Sequence, residues 1–435
     1  PLFQKALSYG FLQKIENKIK VLIDLSSEDQ DHFIVDKSLY ELAKTYTSIK
    51  EFDSALEVYN SLIKRFPNSN YLSRSYLNRG LILFNTERLL ESKEVLELVV
   101  EKFRNDRITT QALNSLKEIS IELGEVDVFS EWLKSQNIRS FSEGDLASSA
   151  FEAAEKFYFD KKNRLAERQI KDFIIRYPDY SGLSILRYYL ADIYFQNKDW
   201  ENAIINYDYI LELKNHEYTE RSLVNSSLAL QNMKDSQKLI SRLLRLKETA
   251  FYGENKRFAL YNLMKEYFKV DDYSNSIMLS EEVLSDENLD SNVRWDALEI
   301  NARSALILKD SSRAFSKFKE LENSPKKTLA AEANFYKAFQ LSKQKKYDLS
   351  NKVIADLSKF YGSSEYWNAR SILLMANNFK NLNDYFQSIY LLETLIENFT
   401  KFPEIIIKAQ EMLVKVKFKV SDQNSSVELN SKTND

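Results

Sequence analysis

"KEFDSALEVYNSLIKRFPNSN", residues 50–70, decides the fold. Within it Ala55, Tyr59 and Leu62 recur at helical spacing. Pro67 then stops the run, because proline lacks an N–H donor and clashes with the preceding turn. Just upstream, "VDKSLYELAKTYTSI" (35–49) sets Leu39, Leu42, Ala43 and Tyr46 on one face of another helix. Antiparallel helices approach to about 8–10 Å only where the crossing residues are small. Ala43 and Ala55 suit that crossing, and Tyr46 and Tyr59 are large enough to fill the space beside it.

The same frame returns along the chain. In "SILRYYLADIYFQNKDWENAIINYDYILELKN" (184–215), Leu190, Ala191 and Tyr194 precede Ala203, Tyr207 and Ile210, and "KDWENA" matches "KEFDSA" step for step. Gly80 with Ser92, Ala154 with Ala166, Ala302 with Ala314, Ala338 with Ser350 and Ala376 with Ser388 repeat the small pair, and Met264 with Ser276 keeps the frame without the first small residue. Two more helix pairs, around residues 108–135 and 218–247, are degenerate. The spacing predicts about ten helix–turn–helix units of roughly 34–38 residues. One such pair cannot bury its apolar face alone, whereas stacked neighbours can.

Composition agrees. The 435 residues exceed what one compact core usually holds, so the chain divides or grows in one dimension. Seven glycines and five prolines are too few for the turns of a strand-rich fold. The absence of cysteine excludes disulfides, thiol catalysis and thiolate metal sites. A net charge of −3 offers no broad footprint for nucleic acid, and no apolar run approaches the ~20 residues of a membrane span. The chain begins at Pro1 without a methionine, which points to a processed form or a fragment. A membrane-associated complex reached through a preceding segment stays open.

The recurring small–aromatic pattern over residues 31–400 resembles the tetratricopeptide repeat. That resemblance implies an all-α, right-handed α-solenoid (superhelix) of about ten repeats, and a non-enzymatic scaffold for protein or peptide partners. The junctions "RFPNSNYLSRSYLNRG" (65–80) and "RYPDYSGLSILRYYLAD" (176–192) are similar to a bacterial sub-group. It includes periplasmic lipoproteins of outer-membrane protein assembly and a cell-division coordinator of the envelope. "NDYFQSIYLLETLIENF" (383–399) resembles the ends of long repeat proteins in Bacteroidota envelopes. The expected setting is therefore a bacterial cell-envelope assembly or secretion complex, periplasmic or outer-membrane-associated, with a cytoplasmic location as the alternative.

No catalytic, metal or cofactor site is expected. The only histidines, His32 and His216, lie far apart, and no glycines are spaced to cradle a phosphate. In this repeat class the first helix of each pair lines the concave face. The resemblance therefore implies partner contacts from Phe151, Glu155, Tyr158 and Phe159, then Ile185, Tyr188, Asp192 and Phe195. Further along it implies Tyr261, Lys265 and Phe268, then Phe335 and Phe339. The same rings can instead pack within or between repeats. The two-lysine, two-asparagine carboxylate clamp of chaperone-tail binders is absent, its first-unit positions being Tyr40 and Lys44. The alternative role is a structural subunit that makes contact through its edges and convex face, or a regulatory fragment of a larger protein.

"SQNIRSFSEGDL" (135–146) either divides the repeats into blocks 1–135 and 146–420 or is one longer loop. Residues 2–23 read as one helix, 403–419 as a capping helix opened by Pro403, and 421–435 as a disordered tail.

Overall fold

A computed structural model describes residues 1–27, 32–104 and 107–431, the side chains of 32, 33 and 423–431 excepted. Among the described residues it is all helix, with no strand. The chain forms two compact units that part at Lys214/Asn215. In the first, α1 (Leu2–Phe11) pairs with α2 (Ile15–Leu25), α3 (His32–Ser48) with α4 (Phe52–Arg65), and α5 (Leu72–Asn85) with α6 (Leu89–Lys102). Then α7 (Arg107–Leu123) pairs with α8 (Val126–Ser135), α9 (Glu143–Phe159) with α10 (Asn163–Arg176), and α11 (Leu183–Gln196) with α12 (Trp200–Glu212). In the second, α13 (Thr219–Met233) pairs with α14 (Ser236–Thr249), α15 (Gly253–Lys269) with α16 (Tyr273–Leu284), and α17 (Ser291–Ile307) with α18 (Ser311–Leu321). Then α19 (Lys327–Lys343) pairs with α20 (Tyr347–Tyr361) and α21 (Glu365–Asn381) with α22 (Tyr385–Asn398), and α23 (Pro403–Ser431) packs against α21 and α22. Each unit is a stack of helix hairpins, the architecture of an α-solenoid.

One turn makes every hairpin. Its central residue is left-handed: Lys50, Glu87, Gly124, Lys161 and Lys198 in the first unit, with φ from 60° to 66°. Lys234, Asp271, Lys309, Lys345 and Asn383 repeat it in the second. The next N–H reaches back to the carbonyl five residues earlier, as Asp199 does to Tyr194 at 2.9 Å and Asp310 to Ala305 at 2.8 Å. This cap satisfies carbonyls the ending helix leaves free. Where that next residue is aspartate, its side chain also caps the following helix. Asp199, Asp235, Asp272, Asp310 and Asp384 all accept from the N–H three residues on.

The turn fixes the register of the core. Seven residues before it and five after stand the paired small residues, such as Ala43 and Ala55 about Lys50, all fully buried in that repeat. At Gly80 a Cβ would lie 2.5 Å from Leu96 Cδ2, so any larger residue would force Leu96 to move. Where the second residue is serine, its hydroxyl donates to the partner's carbonyl: Ser92 to Gly80 at 2.8 Å, Ser350 to Ala338 at 2.8 Å, Ser388 to Ala376 at 2.9 Å. The two degenerate pairs depart from the rule with Lys117 and Phe129, and with Ser227 and Leu239, as do Lys18 opposite Ala6 and Met264 opposite Ser276.

Two expectations meet a different structure, and the segment at 135–146, read either as a division or as one longer loop, lies within one unit. Residues 2–23 form two helices, because the chain turns at left-handed Gln13 in the same register as the later hairpins. Residues 136–145 lie inside the first unit: Ile138, Phe141 and Leu146 pack on the cluster of Leu116, Phe129 and Leu133, so burial bridges the loop. Helix α23 runs on past 419 to Ser431, and residues 432–435 lie outside the described residues.

Candidate protein-binding face

In each unit the first helices of successive pairs touch one another. In the first unit α5 meets α7, α7 meets α9 and α9 meets α11; in the second α15 meets α17, α19 meets α21 and α21 meets α23. No two second helices pack as closely among the described residues. Charged pairs such as Lys247–Glu282, at 2.6 Å, link α14 to α16 instead. The first helices therefore lie on the inner side of each stack, and their free face is the concave one.

In the first unit this face is a ladder of rings and carboxylates. Tyr158 and Tyr189 stack at 4.1 Å with planes 11° apart. Each donates its hydroxyl across the repeat boundary: Tyr158 to Asp192 at 2.8 Å, Tyr189 to Glu155 at 3.0 Å. Asp192 also accepts from Gln196. Phe159 stands 62% exposed, its edge against Tyr189. The other expected contacts are less available. Tyr188 is buried against Tyr207, Phe151 packs on Phe173 and Tyr180, and Phe195 packs on Trp200.

In the second unit the Tyr261 hydroxyl donates to Asp296 at 2.6 Å, and Lys326 donates to the other Asp296 oxygen at 2.5 Å. Burial, followed by the bond to Asp296, pushes the Tyr261 phenol well above its ordinary value. Burial would also raise the Asp296 carboxyl, but the bonds from Lys326 and Tyr261 outweigh it and hold the group below the usual carboxylate range. Lys265 is exposed, 4.8 Å over the Tyr261 ring, and Phe268 packs edge-on to Tyr273. Arg303 bridges Glu299 and buried Glu332, each at 2.6 Å. Burial raises the Glu299 carboxyl, with Arg303 opposing and Glu332 adding to the shift.

Phe335 corrects the expectation most clearly. It is 4% exposed, packed on Trp367 and covered by the Arg370 guanidinium at 4.5 Å, so it supports the face and cannot meet a partner. Phe339, half-buried and stacked on Phe335, is the ring that remains within reach. Sequence reasoning passed over Tyr189, Asp296, Arg303, Glu332 and Arg370. The signal was available in their spacing, since bonding partners such as Tyr158 and Asp192 lie about one repeat apart.

Among the described residues no group of three histidine, cysteine, aspartate or glutamate side chains could hold a metal ion. Likewise no described helix is long and apolar enough to cross a membrane.

Residues 37–69 match the family model described as Tetratricopeptide repeat. The match takes in most of α3, all of α4 and the Pro67 stop, so this hairpin is a tetratricopeptide repeat. Such repeats generally mediate protein–protein interaction, and no catalytic family is indicated. No curated protein matches the chain. Among solved structures it is similar to yeast Tom70, at 13% identity over 99% of this chain and 98% of that one, with a TM-score of 0.34. It is also similar to a tetratricopeptide repeat protein from Parabacteroides merdae, at 13% identity over 68% and 96%, with a TM-score of 0.23. A third similar structure is the C-terminal part of a repeat-containing protein from Cytophaga hutchinsonii, at 15% identity over 68% and 99%, with a TM-score of 0.30.

Proposed function

We propose that this chain is a non-enzymatic scaffold that holds a protein or peptide segment along the concave faces of its first helices. The supporting observation is the arrangement of rings there. Phe159 and Phe339 remain reachable, yet each rests on aromatic neighbours that fix its orientation. A ring already fixed loses little freedom on binding, so more of its burial appears as affinity. Carboxylates Glu155 and Asp192 and the exposed Lys265 add polar selection beside the rings. The partner is protein and not nucleic acid, since the chain offers no excess of positive charge to release counterions.

We place the scaffold in a bacterial cell-envelope assembly, periplasmic or outer-membrane-associated, on the strength of the junctions at 65–80 and 176–192. Fractionation of the native protein into the cytoplasm would overturn that placement.

Site-specific photo-crosslinking in cells tests the binding face. Probes at Phe159 and Phe339 should capture a protein partner, whereas a probe at Ile175, 78% exposed on second helix α10, should not. Phe159→Ala with Lys265→Glu should weaken the capture. Crosslinks from Ile175 alone would replace this reading with that of a subunit held by its outer surface.

A further inference from the structure

The concave face of the second unit has a vacancy where three other repeats carry a ring of their own. Several first helices present an aromatic ten residues before the hairpin turn, and onto three of these the following segment brings another ring. Tyr40 stacks with Tyr71 at 4.8 Å, Phe151 meets Tyr180 at 5.6 Å, and Phe335 meets Trp367 at 5.4 Å. Tyr261 is the equivalent residue of α15. The segment after α16, "SDENLDSNV" (285–293), contains no aromatic residue. Asp290, Asn292 and Val293 fall at the offsets from the turn held elsewhere by Tyr180, Tyr71 and Trp367.

A cavity of about 260 Å³ opens there instead, lined chiefly by Phe258, Leu260, Tyr261, Val283, Leu289 and Val293. An apolar cavity of roughly 150 Å³ is enough to bind benzene. This one therefore accommodates a phenyl or phenol ring. Its rim is acidic. The lining residues Asp286 and Asp290, and exposed Glu287 next to Asp286 in the chain, form no ion pair among the described residues; Glu282 is matched by Lys247, and Arg257 is the cation at the mouth.

We propose that this cavity receives an aromatic side chain of the bound protein, flanked in that protein by lysine or arginine. The guest ring would stack on Tyr261 as Tyr71, Tyr180 and Trp367 do on its counterparts, and the basic neighbours would pair with Asp286 and Glu287. This proposal rests on the reading of the concave face as a protein-binding surface and names the residue type it selects.

The test uses the full chain and three amidated peptides of sequence Ala-Lys-Phe-Lys-Ala, Ala-Glu-Phe-Glu-Ala and Ala-Lys-Ala-Lys-Ala. Binding is read from the methyl resonances of Leu260, Val283, Leu289 and Val293. The lysine–phenylalanine peptide should shift these methyls at millimolar concentration and bind about tenfold more tightly than either of the others. Val293→Trp, which fills the cavity as Trp367 does elsewhere, should abolish the shifts without lowering the melting temperature. Glu287→Lys, at an exposed loop position, should remove the preference for lysine over glutamate while leaving the ring requirement. Absence of shifts, equal binding of the alanine peptide, or undiminished binding by a folded Val293→Trp chain would overturn the proposal. Crosslinking from Phe159 and Phe339 that persists in any of those cases would leave the scaffold reading standing.

Discussion

The Tyr158 hydroxyl donates to the Asp192 carboxylate at 2.8 Å, and these two residues stand at neighbouring levels of one ladder. The bond ties α9 to α11 on the concave face, while the stacked Tyr158 and Tyr189 rings close the same boundary. A residue on the proposed binding face thus also holds the repeats together.

Tyr158→Phe keeps the stacked ring and removes the hydroxyl. Because the acceptor is a carboxylate, the change should cost about 1.5–3 kcal/mol. Phe159→Ala, at an exposed neighbour, should stay within about 0.5 kcal/mol of wild type. Urea unfolding of the two variants separates the residue that supports the face from the one available to a partner.

Gly80 and Leu96 test the crossing rule. Gly80→Ala would push a methyl to within 2.5 Å of Leu96 Cδ2, and such overpacking typically costs about 1–3 kcal/mol. Hydrogen exchange should accelerate in α5 and α6. Adding Leu96→Val should restore part of the protection. Unchanged exchange in Gly80→Ala would show that the crossing relaxes freely.

Arg303→Met would leave Glu332, nearly fully buried, without its guanidinium partner. Stranding a buried acceptor costs about 1–3 kcal/mol or more. Arg303→Met combined with Glu332→Leu should recover part of that loss, since replacing both members of a buried pair by apolar residues is often neutral, while Glu299 still loses its partner. Thermal unfolding of the single and double variants measures the difference.

Asp296 should give a defined pH signature. Its folded carboxyl titrates below the usual range, so the unfolded chain takes up a proton first as pH falls. The stability it contributes is present above the unfolded value of about 4 and is lost as pH falls through the lower folded value. Asp296→Asn should therefore be less stable than wild type at neutral pH, and the gap should close in acid. A gap that stays constant down to pH 3 would show that the Tyr261 and Lys326 bonds do not set the shift.

Much of the fold is legible in the chain because local rules repeat. The paired small residues and the large residues beside them lie where the sequence frame puts them, since a helix crossing constrains residue size over a fixed spacing. The left-handed turn is harder to read. Among the described hairpins only Gly124 supplies glycine there; lysine, glutamate, aspartate, asparagine or glutamine occupies the others, and the strain is outweighed by the cap it completes. The concave face is only half legible. Periodicity places Tyr188 and Phe335 beside Phe159 and Phe339, but cannot tell a ring covered by its neighbour from one left open.

The sequence by itself determined the hairpin and its register, because each follows from contacts within one repeat. Only the tertiary structure decided which side chains remain free. That outcome depends on groups a repeat or more apart: Tyr189 against Glu155, Arg370 over Phe335, and the missing ring above Tyr261. No single repeat contains both members of those pairs, so the selective part of the surface emerges only when repeats are stacked.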